Sequence, residues 1–220
     1  MALTKFNYNS FDLTTAASKG LAFNSSANGF ETAAEGSITL IKTLTASSSA
    51  NLSFVHGSSD VVLDSTYPVY LFKCINIHPS SDGQEFQFNL SVDSGSNYNV
   101  AKTSTAFNAQ HDEGDTDTGL SYQTSQDLAQ ATTFEHFSNN WGNDDDQSGV
   151  AILWLFNPSS TTFVKHYMTE SHNYAHINYA WHWFNAGYGN TTSAVNAVQF
   201  KMGSGNIDSG TIKLYGIKDS

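Results

Sequence analysis

Carboxylates crowd into two short stretches of this chain. His111-Asp112-Glu113-Gly114-Asp115-Thr116-Asp117 carries one group, and Asn143-Asp144-Asp145-Asp146 carries another. Loops rich in oxygen ligands are what a hard cation such as calcium requires. The helix–loop–helix calcium spacing is not met, because no glutamate stands at the twelfth position after an Asp-x-Asp-x-Asp-Gly start. On sequence alone these are solvated turn carboxylates, and no metal is assigned. His172, His176 and His182 form a second cluster. The first two are four residues apart, which suits zinc only on a helix. Asn173, Tyr174, Asn178 and Tyr179 point to an extended or irregular segment instead, where the two rings lie too far apart to share one ion. For catalysis there is no Gly-x-Ser-x-Gly elbow and no phosphate-binding glycine loop. Glu135 and His136 are adjacent in an alternating run and so face opposite ways. No catalytic residue and no cofactor are assigned, and the chain reads as a non-enzyme.

The most aromatic window runs from Tyr174 to Tyr188. On a strand, Trp181 and Trp183 share one face and His182 takes the other. Exposed Trp and Tyr side chains stack on sugar rings and anchor protein interfaces. Tyr174, Tyr179, Trp181, Trp183 and Tyr188 are therefore candidates for a glycan or subunit contact, with core packing of a tryptophan as the alternative.

The elements that would position these residues are strands. Apolar residues alternate with polar ones at Phe86–Val92, Thr132–Ser138, Ala194–Met202 and Thr211–Ile217, the period of a strand with one buried face. Val69–Ile77 and Val150–Phe156 are nearly continuous apolar runs, as strands covered on both faces would be. Ile38–Leu44, Leu52–Val55, Lys102–Ala109, Phe163–Met168 and Trp181–Phe184 complete a set of ten to twelve strands. Turn chemistry separates them at His56-Gly57-Ser58-Ser59, Asp93-Ser94-Gly95-Ser96-Asn97 and Asn157-Pro158-Ser159-Ser160. Ser125–Ala131 is the one place where a helical turn is expected. The pattern predicts an all-β, antiparallel, jelly-roll-like β-sandwich over residues 37–220. The last two runs are expected to pair as a closing hairpin. Gly216 interrupts an apolar face there, where a bulge or a close backbone approach is expected.

Residues 1–36 differ. Phe6, Tyr8, Phe11, Phe23 and Phe30 are spaced through Ala, Ser, Thr and Asn. Such spacing suits an extended N-terminal arm that plugs into pockets of another protein; two further strands of the same domain are the alternative. The whole chain has 220 residues, 13% of them charged, with 20 acidic residues, nine Lys and no Arg, for a net charge of −11. That balance argues against nucleic acid and anionic membranes as partners. The only cysteine, Cys74, allows no internal disulfide and lies in an apolar run, as a buried inert thiol would. No signal peptide and no membrane-spanning stretch are expected.

The strings YPVYLFKCINIHPSSDG (residues 67–83), LFNPSSTTFVKHY (155–167) and GYGNTTSAVNAVQFKMGSGNIDSGTIKLYGIK (187–218), with the NDDDQ loop at 143–147, resemble a family of uncharacterised virion structural proteins of tailed phages, especially marine ones. Residues 19–31 also resemble short linkers of phage fibre proteins. The resemblance implies a particle component, either a capsid decoration protein or a knob or fibre appendage, made in the host cytoplasm and released by lysis. It implies other virion proteins as partners and a homo-oligomer, a trimer above all, with a host surface glycan as the alternative target. It carries over no catalytic residue.

Overall fold

The structure, a computed structural model, describes residues 20–23, 26, 30–32 and 36–219. The chain separates into two units, Met1–Thr39 and Leu40–Ser220. In the first, β1 (Leu21–Phe23) and β2 (Phe30–Thr32) form their own two-stranded antiparallel sheet. Phe23 lies opposite Phe30, with the rings stacked at 4.9 Å.

The second unit is all-β, with no helix among the described residues. Its strands are β3 (Ile38–Thr45, starting at the boundary), β4 (Leu52–Val55), β5 (Val69–Pro79), β6 (Gln84–Ser91), β7 (Lys102–Asp112) and β8 (Thr118–Tyr122). They continue with β9 (Glu135–Trp141), β10 (Gly149–Phe156), β11 (Lys165–Ala175), β12 (Tyr179–Gly189), β13 (Ala197–Met202) and β14 (Ile207–Ile217). A long path of hydrogen-bonded neighbours runs β3-β14-β5-β10-β11-β12-β7-β8, and a short path runs β9-β6-β13-β4. The two meet where Ala175 of β11 pairs with Trp141 of β9, so the antiparallel sheet is nearly closed into a barrel.

The core lies between the paths. Phe72 and Leu153 from the long path meet Phe54, Phe86, Phe88, Phe137 and Phe200 from the short one, all 0% exposed. Phe72 packs on Phe54 and Phe200 with ring centroids 5.3 Å apart in both cases, and Phe86 stacks on Phe137 at 5.0 Å. Edge-on and offset contacts of this kind add to the stabilisation from area burial alone.

The expected closing hairpin does not form. β13 pairs with β6 and β4, whereas β14 pairs with β5, so residues 203–206 carry the chain from the short path to the long one. Likewise β6 and β7, flanking Asp93–Asn97, belong to different paths. Turn residues specify a reversal, but they do not specify which strand the chain pairs with afterwards. β6 is also not half-exposed. Gln87, Asn89 and Ser91 on its second face are buried along with Phe88 and Leu90. Residues 124–126 turn without becoming a helix. Conversely, β11 and β12 form a regular hairpin, the extended one of the two alternatives, extended or irregular, expected around His172–Tyr179. Its three-residue loop, 176–178, ends on Asn178 at φ 64°, the left-handed conformation such loops place last.

Candidate functional site

β7, β12 and β11 pair continuously, so their side chains divide cleanly between two faces. The inward face is unusually polar. Ser104 and Asn108 of β7, Asn185 of β12, and Thr169, Ser171 and Asn173 of β11 are all buried. Asn185, Ser171 and Asn173 among them serve the adjacent strand β9, whose backbone lacks a full ladder partner on that side. Asn185 Nδ2 donates to the His136 carbonyl at 2.5 Å, and Ser171 Oγ donates to the Phe137 carbonyl at 2.9 Å. Ser138 Oγ donates to Asn173 Oδ1 at 3.0 Å and accepts from Trp141 Nε1 at 2.6 Å. Side chains of the long path thus satisfy backbone groups that an unpaired strand edge would leave orphaned.

The outward face is the reverse. Phe107, Leu120, Tyr122, Val150 and Met168 are exposed by 42, 74, 52, 46 and 54%. Phe184 stacks on Phe107 at 5.1 Å and His182 stacks on Phe184 at 4.5 Å. Ile152 and Trp154 continue the apolar surface onto β10 by pairing with Glu170 and Met168. Across the outward positions of β8, β7, β12, β11 and β10 the only acid is Glu170, hydrogen-bonded to His182 Nε2 at 2.9 Å, and there is no lysine. Polar residues normally occupy the solvent side of an antiparallel sheet. Here the apolar residues sit outside and many of the polar ones inside.

This arrangement relocates the aromatic candidates. Trp181 and Trp183 do share a face, but it is the inward one, at 8% and 1% exposure, packed with Ala175. Of the two readings, core packing is the one their burial fits, and neither indole is an exposed stacking platform: the register of β12 against β7 and β11 turns both inside. Tyr174, Tyr179 and Tyr188 remain partly exposed. Tyr174 and Tyr179 line an open hollow of about 320 Å³ with His111, Glu113 and His172. Tyr188 lies further along β12 with its ring near His166. Trp154, which the continuous apolar run of β10 concealed, is the tryptophan that faces outward. Its signal was present: a run apolar on both faces.

Of the arm candidates, Phe6, Tyr8 and Phe11 lie outside the described residues. Phe23 and Phe30 are exposed by 71% and 40% on the β1–β2 hairpin. The first acidic loop joins β7 to β8 as a turn. Asp112 accepts from the Thr116 and Asp117 amides at 2.8 and 2.7 Å, and the backbone bond from Asp117, with Thr116, draws its carboxyl down to about 2. Among the described residues no three His, Cys, Asp or Glu side chains converge as metal ligands would. His172 and His182 face each other across the β11–β12 pair at 6.2 Å between ring centroids.

The polar interior also contains the ionisable groups Lys102, which sequence reasoning passed over, and Glu135, which it set aside as a catalytic pair with His136. Lys102, Glu135 and Asn89 are 0% exposed. Tyr167 donates to Glu135 Oε2, and burial raises the Glu135 carboxyl to about 7 against that bond. Burial likewise lowers the Lys102 amine to about 8, opposed by the Glu135 charge. Lys102 opens its strand after a turn-rich segment, where a lysine reads as a solvated edge residue.

No protein-family model, curated protein or solved structure matches this chain.

Proposed function

We propose that this chain is a structural subunit of a tailed-phage particle, placed at its periphery and assembled with further copies of itself through the outward face of β8, β7, β12, β11 and β10. The observation that carries the reading is that face: apolar, nearly uncharged, and part of a chain whose net charge is −11. Two acidic molecules can approach there with little repulsion, and a second copy supplies a matching apolar surface. Five strands about 4.8 Å apart and about 30 Å long offer roughly 700 Å². A standard specific interface takes about 800 Å² from each partner. The resemblance of residues 67–83, 155–167 and 187–218 to phage virion proteins supports the particle assignment, and a jelly-roll relationship for the two sheet paths is part of the same proposal. The N-terminal residues 1–36 serve as the attachment segment in this reading. Deleting them leaves a folded β unit that no longer joins particles. The test is co-purification: phage particles banded in a density gradient and probed for this chain contain it at a fixed ratio to the major capsid protein. Recovery only in the soluble lysate fraction would overturn the assignment.

A further inference from the structure

The buried group around Lys102 has the parts of a self-forming amide cross-link. Lys102 Nζ donates to Asn89 Oδ1 at 2.5 Å and to the Val100 carbonyl at 2.9 Å, so the amine lies against the atom bonded to the carboxamide carbon. Asn89 Nδ2 is held on the far side by the carbonyls of Tyr98 and Thr132, at 2.6 and 3.0 Å. The Leu90 N–H donates to Asn89 Oδ1 at 2.8 Å, where negative charge would collect during attack on the carbon. Glu135 enters from the neighbouring strand, paired with Phe88, the residue before Asn89. Tyr167 holds one carboxyl oxygen of Glu135, and the other, Oε1, is buried with no hydrogen-bond partner.

From this geometry we infer that Lys102 and Asn89 join in an intramolecular isopeptide bond, with Glu135 carrying the proton. The Nζ–Cγ bond forms and the Cγ–Nδ2 bond breaks. Glu135 gives its proton to Nδ2, which leaves as ammonia, and takes back the proton that Nζ gives up. Nothing is oxidised or reduced, and no other reactant is needed. Burial favours the two forms the step requires, a neutral amine and a protonated carboxyl, since it lowers Lys102 to about 8 and raises Glu135 to about 7. The reaction also removes a buried cation that the fold otherwise carries at a cost. Its product ties β6 of the short path to β7 of the long one, across a span of 13 residues. A chain with a single cysteine cannot make that closure with a disulfide.

Mass spectrometry of the purified full chain, incubated near pH 8 and then digested with trypsin, tests this. A cross-linked Lys102 resists trypsin, so residues 74–165 persist as one peptide, lighter than its sequence mass by one ammonia, with fragmentation joining Asn89 to Lys102. Glu135→Gln, close in size and shape, keeps the folded circular dichroism spectrum and yields separate peptides 74–102 and 103–165 at full mass. A wild-type chain cleaved after Lys102 at full mass overturns the inference. So does an ammonia loss that maps to Asn28-Gly29, where succinimide formation gives the same mass change.

Discussion

Glu135 shows what a buried titratable group does to stability. In the folded chain its carboxyl keeps its proton to about pH 7, whereas the unfolded chain releases it near 4.5. Between those values the folded state binds more protons than the unfolded state, so stability falls as pH rises from 5 through 8. Melting temperatures should fall more with rising pH across that range in wild type than in Glu135→Gln; a wild-type curve that runs parallel to the variant's would contradict this. If the link to Lys102 forms, the trend keeps its sign, because the carboxyl stays buried and loses its cation. Cys74 is a second test at this scale. It is 2% exposed, and burial pushes its thiol far above the usual range. A thiol reagent should leave it unmodified in native protein and react once denaturant unfolds the chain. The thiol could be foreseen from its apolar run. Lys102 and Glu135 could not, because neither alternation nor composition reveals that a polar side chain meets a partner inside the fold.

Among the elements, β14 is the most demanding. Its inward residues Ile212 and Leu214 are 0% exposed, and a Cβ on Gly216 would lie 2.4 Å from the Tyr67 ring. Gly216→Ala should therefore cost about 2 kcal/mol through overpacking, measured by urea denaturation. Leu214→Asp should leave no folded protein, since burying an unpaired carboxylate costs several kcal/mol against a net stability of about 10 kcal/mol. The alternation of Thr211–Ile217 marked this strand, and the interrupting glycine marked the close approach. What the pattern did not carry was pairing. Gly203–Gly210 looks like a hairpin connector, yet β14 lies beside β5 because the acceptor strand is set by packing across the whole sheet. The same limit applies to Trp181 and Trp183. Period two put them on one face, and only the placement of β7 and β11 on either side decides that this face is inside.

For the whole molecule, the central feature is a sheet whose outward face is more apolar than much of its inward one. The run GVAILWLF of β10 carried that information in the sequence. An apolar strand on both sides implies two covered faces, and the described residues of the β unit cover only one of them. The second cover is assigned to another copy, so the decisive measurement is the solution mass by sedimentation, comparing wild type with a Phe107→Lys/Met168→Lys double variant. The account predicts that wild type sediments at a multiple of 23.9 kDa at micromolar concentration, while the double variant sediments as a single chain with an unchanged melting temperature. A wild-type chain that stays single at every concentration, or a double variant that assembles as wild type does, would contradict it.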